Sequence, residues 1–158
     1  MPAFTTVSVV PQPPEVVFAV ITDTSFWPLF TGYGPMPGIV HAEAADSEPF
    51  HVGTVIEVTN TDGTHHQEVV TAFEAPRRYA IEMRLPASAR RVLATVRERV
   101  DVEPYAGGSR ITRRFEVVPR SWLTWPVAAL IAHLLLRPAV ERHNRTAARW
   151  QPPSSPAL

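Results

Sequence analysis

Alternation of apolar and polar residues predicts seven β-strands along this chain. It is clearest from Tyr79 to Leu85, where every second residue is apolar. A period of two is typical of a strand that buries one of its faces. Comparable patterns predict strands over 4–10, 39–44, 52–60, 65–73, 79–85, 90–103 and 109–118.

Two short helices are predicted between the first and second strands. Pro14 suits a first helical turn, and Glu15 adds a favourable negative charge at the amino end. Asp23 or Thr24 can cap a second helix, which contains Trp27. A loop rich in glycine and proline follows over 32–38, and its composition is aromatic and apolar rather than polar.

The carboxyl-terminal region predicts one long helix. From about 122 to 150 it lacks glycine, and Pro138 should introduce a kink. Successive strands followed by a helix favour an α+β fold over an alternating α/β fold. A chain of 158 residues predicts one domain, over 1–150, with a disordered tail at 151–158.

Residues 61–64, with the sequence Thr-Asp-Gly-Thr, give the strongest turn signal. A two-residue type I′ turn at the centre would pair the two threonines. That register places Glu57 directly opposite Glu68, and two such charges repel unless water screens them. It therefore predicts both glutamates on the solvent face, and it predicts that the inward side chains are Ile56, Val58, Val69 and Phe73.

The order of these elements, together with several short segments, resembles a known superfamily. The segments are Pro14–Phe18, Trp27–Pro28, Val52–Thr54, Glu74–Tyr79 and Gly107–Thr112. In order and spacing they resemble the START-like (SRPBCC) superfamily of polyketide cyclase/dehydrase and lipid-transport proteins. The resemblance implies a helix-grip fold, in which a curved seven-stranded antiparallel sheet wraps around the carboxyl-terminal helix and leaves a cavity between them.

The same resemblance implies a hydrophobic small-molecule ligand, such as a polyketide, a fatty acyl chain or a lipid. It does not imply a reaction, because one fold hosts carriers, sensors and cyclases in this superfamily. An enzyme of the polyketide cyclase/dehydratase type is therefore the alternative. It would use Glu98, Arg113 or His133.

Two charged residues fall on the inward faces of their predicted strands. Glu98 shares the parity of Val100, and Arg113 shares the parity of Phe115. Depending on the register, the two lie directly opposite each other or diagonally. An inward charge must be paired or face a wet cavity. A structural ion pair, a polar anchor for a ligand carboxylate or carbonyl, and a bulge that turns both outward all stay open.

Aromatic and apolar side chains are expected to complete a ligand site. Trp27, Phe30 and Tyr33 either plug one end of the core or form the mouth of the cavity, with the segment Trp27–Gly38 as its gate. His133 is either a core histidine or a residue that faces the cavity. The full set of predicted ligand-binding residues is Trp27, Phe30, Tyr33, Met83, Glu98, Arg113, Phe115, Trp125 and His133.

Composition excludes several kinds of chemistry. The chain has no cysteine, which excludes disulfides, thiolate metal sites and cysteine nucleophiles. All 15 basic residues are arginine, so no lysine can form a Schiff base. The six histidines do not show metal-ligand spacing, and there is no glycine-rich phosphate loop or dinucleotide fingerprint. We therefore expect neither a metal nor a cofactor.

The net charge of zero conceals a strong asymmetry. Residues 1–76 carry nine acids and no arginine, whereas residues 77–120 carry eleven arginines and five acids. The aromatic residues are not interleaved with the arginines, so nucleic-acid binding is not expected. No signal peptide is recognisable at the amino end, and we expect a cytoplasmic location.

One apolar run needs a partner. Residues 122–136 contain no Asp, Glu or Arg, although a helix gripped by a sheet should keep one polar stripe. The run falls short of the roughly 20 residues that span a bilayer. The excess apolar face could contact the ligand, a second subunit in a homodimer, or the surface of a membrane.

Overall fold

The computed structural model describes residues 1–149. Residue 150, where the long helix was predicted to end, and the tail predicted over 151–158 lie outside the described residues. The strands are β1 (Ala3–Val10), β2 (Ile39–Ala44), β3 (Val55–Asn60), β4 (His65–Glu74), β5 (Arg78–Arg84), β6 (Leu93–Tyr105) and β7 (Gly108–Pro119). After β1 come helix α1 (Pro14–Ile21) and a 3-10 helix (Thr24–Leu29), and a 3-10 turn precedes β6 (Ala89–Arg91).

The seven strands form one antiparallel sheet in the order β1-β7-β6-β5-β4-β3-β2. A continuous carboxyl-terminal helical segment follows β7. It consists of a 3-10 turn (Trp122–Thr124), α2 (Trp125–Leu130), a π-helical turn (Ile131–Leu136) and α3 (Arg137–Arg149). The predicted α+β architecture is therefore confirmed, with two short helices after the first strand and a long helix against the sheet.

Two groups of buried side chains hold the helices on the sheet. One lies under α1, where Val17 and Phe18 pack with residues such as Ile56, Val70 and Val100. The other lies under the carboxyl-terminal helix, where Phe115 and Val117 of β7 meet Ala128, Ala132, Leu136 and Val140. Met83 packs against both groups, so the two parts of the core are continuous across β5.

The β3–β4 hairpin has a different register from the predicted one. Its loop contains three residues, 61–63, because the backbone N–H of Asn60 donates to the carbonyl of Thr64 over 2.8 Å. Gly63 has φ +81°, as expected for a three-residue loop that closes with a left-handed residue. The Asp62 carboxylate stabilises this loop by accepting bonds from the backbone N–H and the hydroxyl of Thr64, at 3.0 and 2.6 Å.

A shift of one residue moves every side chain of a strand to the other face. Ile56 and Val58 are buried and Glu57 is exposed, as predicted. Glu68, however, lies opposite Ile56 and is only 3% exposed, so its predicted position on the solvent face is wrong. Val70 takes the inward place predicted for Val69. A bulge between Val70 and Ala72 then brings Phe73 back against the core.

The long helix changes its hydrogen bonding where a kink was expected. Its π-helical turn lies over Ile131–Leu136, directly before Pro138. A proline ring crowds the carbonyl of the fourth residue before it, here Leu134, and has no N–H to offer that carbonyl. The wider π-helical turn accommodates both effects without ending the helix.

Two adjacent glycines give a test of how the β6–β7 hairpin meets β1. A methyl group on Gly108 would lie 2.1 Å from the carbonyl oxygen of Val10, whereas one on Gly107 would meet open space. Gly107→Ala suffers only the strain of its φ of +81°, which costs about 1–2 kcal/mol. We expect Gly108→Ala to cost more than that, measured by urea unfolding, because backbone must move. Equal losses would show that the end of β1 yields easily.

Candidate ligand site

A buried ion pair joins the two inward charges. In the observed register Arg113 faces Val100, so Glu98 and Arg113 are diagonal neighbours. Arg113 Nε donates to Glu98 Oε1 over 2.7 Å, and Nη2 reaches the same oxygen. Their side chains are 17% and 6% exposed, respectively. The predicted structural ion pair is therefore present, and no bulge turns it outward.

Arg113 also ties the sheet to the carboxyl-terminal helix. Its Nη1 donates to Asn144 Oδ1 over 3.3 Å, and Asn144 Nδ2 donates to the hydroxyl of Thr6 over 3.0 Å. Four elements, β6, β7, α3 and β1, thus meet in one chain of polar contacts. Burial raises the pKa of Glu98, and the nearby charge of Glu68 acts in the same direction, although the Arg113 guanidinium opposes them.

The sequence did not identify a second buried carboxylate, that of Glu68. His66 Nε2 lies 3.0 Å from Glu68 Oε1, and their side chains are 11% and 4% exposed. His66 Nδ1 lies 3.1 Å from the amide nitrogen of Asn60, so a neutral ring would accept there and donate to Glu68. The alternation of residues along β4 was the one sequence feature that could have placed Glu68 in the interior. The wrong turn type assigned Glu68 to the opposite face of the sheet.

Tyr79 adds an unpaired hydroxyl to the interior. Its side chain is 2% exposed, and its oxygen has no hydrogen-bond partner among residues 1–149. Burial, followed by the charges of Glu68 and Glu98, raises its pKa well above 10. The group therefore stays protonated and can act only as a neutral donor or acceptor.

A cavity of about 90 Å³ opens between α1, the ends of β1 and β7, and α3. Most of its wall is apolar, and its polar side chains include Arg113, His143 and Asn144. Ala147 and Ala148 lie along the helical side. The apolar wall is formed by Val10, Val16, Val17, Val20, Ile21 and Ile111.

His143 lines this cavity and also has a buried ring nitrogen without a partner. Its Nδ1 is buried and has no partner within the described part of the chain, and the Phe30 ring lies 5.8 Å from its own ring. Burial, and then the charge of Arg113, lower the pKa of His143 to about 4. The ring is therefore neutral near pH 7. The burial of His143 was not predicted, because residue 143 falls in an arginine-rich stretch without apolar periodicity.

The structure separates the residues predicted to bind a ligand. Arg113 lines the cavity and Glu98 lies behind it, in contact with the guanidinium. Phe115 stacks on Phe4 at 5.1 Å, and Met83 packs between the two parts of the core. Both fill the interior rather than line the cavity.

The predicted gate and the two predicted helical residues lie elsewhere. Trp27 donates from its indole N–H to the carbonyl of Ile21 over 3.0 Å, and Tyr33 is 45% exposed in its loop. Trp125 and His133 are exposed, and neither is among the residues that line the cavity. Two side chains of the segment 27–38 nevertheless contact residues that line the cavity: Trp27 contacts Ile21, and Phe30 contacts His143. Within residues 1–149, no three His, Asp or Glu side chains are grouped as metal ligands.

The ion pair makes a prediction about stability. Arg113→Met leaves the Glu98 carboxylate buried without a partner, which typically costs about 3–5 kcal/mol of unfolding free energy. Adding Glu98→Gln to that variant should recover most of the loss, as measured by urea unfolding. Arg114→Met, at the next residue but exposed, is the matched control and should cost about 1 kcal/mol or less. A double variant as unstable as the single one would contradict this.

His143 makes a prediction about pH. Its pKa falls from 6.5 to about 4 on folding, so the unfolded chain binds more protons between these values. Its contribution to stability is complete above pH 6.5 and is lost as the pH falls, by about 3 kcal/mol at most. The raised pKa of Glu98 makes its contribution to stability change with pH in the opposite direction. The quantity to measure is therefore the unfolding free energy of the wild type minus that of His143→Phe, in which the contribution of Glu98 cancels.

This difference should rise with pH between about 4 and 6.5 and then stay level. His133→Gln, at an exposed position, controls for the loss of one imidazole. A flat difference curve would show that His143 is protonated as easily in the folded protein as in the unfolded chain.

Solved structures share this fold at low sequence identity. The crystal structure of Ara h 8.0201 superimposes with a TM-score of 0.64 and 14% identity, covering 93% of this chain and 98% of the other. MLL2253 from Mesorhizobium loti gives 0.66 and 12%, covering 95% and 99%. BexL, a di-domain ARO/CYC from the BE-7585A biosynthetic pathway, gives 0.69 and 15%, covering 95% of this chain and 50% of the other. At these identities the matches show the fold alone.

Sequence comparison shows the family. A search of curated proteins finds no match. Residues 1–149 match the family described as "Polyketide cyclase / dehydrase and lipid transport". That match covers nearly the whole sequence and confirms the START-like resemblance, so this chain belongs to the polyketide cyclase/dehydrase and lipid-transport family.

Proposed function

We propose that this chain binds a hydrophobic small molecule, a polyketide, a fatty acyl chain or a lipid, in the cavity between α1, β1, β7 and α3. One observation carries the proposal: the cavity is walled by aliphatic side chains and has a cationic group at one side. An apolar pocket with a few convergent polar groups is the usual form of a small-molecule site.

Arg113 can still bind a ligand while it compensates Glu98. Its contacts with Glu98 and Asn144 use three of its five N–H groups. The remaining two can donate to a carboxylate or a carbonyl at the end of an apolar chain. His143 lines the same cavity and is neutral near pH 7, so it adds hydrogen bonding without a second charge.

The size of the cavity indicates that α1 must move when a large ligand enters. A volume of about 90 Å³ holds only a few non-hydrogen atoms, whereas pockets for drug-sized ligands measure roughly 300–1,000 Å³. Val16 of α1, which is 41% exposed, lies at the edge of the cavity. Displacement of α1 away from α3 would lengthen the cavity along its apolar wall.

Binding is favoured over catalysis by the position of the carboxylates. A cyclase or dehydratase needs a general acid or base that can touch its substrate. Glu98 has a raised pKa, but it lies behind Arg113 and is held by it. The di-domain ARO/CYC structures share the fold, and the positions of Glu98 and Arg113 nevertheless fit an anchor better than a reaction centre. The cytoplasmic location stays a prediction.

The proposed anchor predicts selectivity for acidic ligands. Oleic acid and oleyl alcohol share a hydrocarbon chain and differ in charge, so their competition for a fluorescent fatty-acid probe isolates the contribution of Arg113. We expect the wild type to bind the acid about tenfold or more tightly than the alcohol, since a charged hydrogen bond contributes about 1.5–3 kcal/mol. Glu98→Gln, which frees the guanidinium, should increase this preference.

Adding Arg113→Met to Glu98→Gln should abolish the preference while leaving the alcohol bound, because the apolar wall is intact. Arg114→Met, on the exposed face of the same strand, should behave like the wild type. Ala147→Phe, which fills the cavity, should weaken binding of both compounds. If the wild type bound neither compound, or if Ala147→Phe changed nothing, the proposed site would be wrong.

A further inference from the structure

The outward side of the carboxyl-terminal helix is an exposed apolar stripe. From Leu123 onward its members recur every three or four residues and share one face of the helix, and Trp122 directly precedes them. Trp122 is 82% exposed, an unusual condition for the largest apolar side chain. We call this stripe the outer helix face, and it consists of Trp122, Leu123, Val127, Leu130 and Leu134.

The opposite side of the same helix is also apolar, but it is covered. Ala128, Ala132, Leu136 and Val140 are buried in the same core group as Phe115 and Val117 of β7, and Ala139 is buried as well. The helix is therefore apolar on two sides, and the sheet covers only one of them. A contiguous exposed apolar surface of this kind is typical of an interaction site.

Arginines border the outer helix face, and at its far end Arg137 Nε donates to Glu141 Oε1 over 3.0 Å. The sequence has no acidic residue between Glu116 and Glu141, whereas Arg120 precedes the face and Arg137 follows it. Arg90 and Arg91 add to the first end: Arg120 Nη1 donates to the carbonyl of Arg90 over 2.9 Å, which places the Ala89–Arg91 turn beside the start of the helix. All four of these arginines are exposed.

We propose that the outer helix face docks on the surface of an anionic lipid membrane. A helix with tryptophan and leucine on one side and arginines around it lies in the plane of the interface, with its apolar side among the acyl chains. Tryptophan rings favour that depth, and each arginine close to an anionic leaflet adds to the attraction. The outer helix face therefore matches an anionic membrane surface in both polarity and charge.

The same helix does not span the membrane in this arrangement. By length and composition alone, Trp122–Arg149 is long and apolar enough to cross a bilayer. Its inner side, however, covers Phe115 and Val117 of the sheet. Withdrawing the helix into lipid would expose these core residues to water, so the helix lies on the membrane while it stays on the sheet.

A second copy of the chain fits the stripe less well. In a symmetric dimer each outer helix face would meet its own copy, and the arginines at its ends would meet arginines or their near neighbours. Like charges at the rim of an interface oppose association. An anionic lipid surface, in contrast, attracts the three arginines at the first end, Arg90, Arg91 and Arg120, at once.

Sedimentation with vesicles tests the proposal on the full chain. Vesicles of phosphatidylcholine with phosphatidylglycerol should bind the protein, vesicles of phosphatidylcholine alone should bind it much less, and added salt should weaken the binding. Binding should shift tryptophan emission to the blue, because Trp122 enters an apolar medium. Binding that is equal on both vesicles and insensitive to salt would overturn the proposal, as would no binding at all.

Paired variants locate the surface. Trp122→Ser with Leu123→Ser should reduce vesicle binding about tenfold or more, since each side chain loses its apolar burial. Arg90→Gln with Arg91→Gln should reduce it about 30-fold, from about 1 kcal/mol for each charge near an anionic surface. Tyr105→Ser and Arg77→Gln are matched controls near the other end of β6, roughly 40 Å away, and should leave binding unchanged.

Two further measurements separate this inference from the alternatives. Ala147→Phe should not alter vesicle binding, so failure of the ligand site and failure of membrane docking are distinguishable. Sedimentation equilibrium without vesicles should show a monomer. A dimer that Trp122→Ser with Leu123→Ser dissociates would overturn the proposal and assign the outer helix face to a second copy.

Discussion

The Glu98 carboxylate lies where the fold has removed nearly all water from it, and the Arg113 guanidinium is the group that compensates. Because the same guanidinium contacts Asn144, and Asn144 contacts Thr6, the compensation is also what fixes α3 against β1 and β7. A cavity forms where these elements meet. Arg113 therefore lies at the cavity because it neutralises the buried charge of Glu98. Binding a ligand would be a second role of the same guanidinium.

The helix at the end of the chain carries two kinds of surface in succession. Before Pro138 it presents apolar side chains on both sides, whereas beyond it Asn144, Ala147 and Ala148 border the cavity. The π-helical turn lies at this boundary, and the two halves form one uninterrupted helical segment. A hydrophobic molecule that leaves a membrane and enters the cavity would travel along a single element, which relates the two proposals without making either depend on the other.

Periodicity was sufficient for the strands and for the inward direction of Glu98 and Arg113, because a strand's parity does not depend on its partner. It failed for Glu68, whose direction depends on how many residues the β3–β4 loop contains. Asp62-Gly63 suits a two-residue turn as well as a three-residue one, and the contacts of Asp62 with Thr64 decide between them. His143 was missed for another reason: its burial comes from packing against Phe30, which is distant in the sequence.

The loop over 61–63 has a consequence that reaches far from the surface. A two-residue turn at Asp62 and Gly63 would instead pair Thr61 with Thr64, and β4 would then present Glu68 to water opposite Glu57. The interior would lose the carboxylate of Glu68, and Tyr79 would lose a charge that now raises its pKa. In this protein, the type of turn that an exposed loop adopts therefore decides the electrostatics of the core, at a distance from the loop itself.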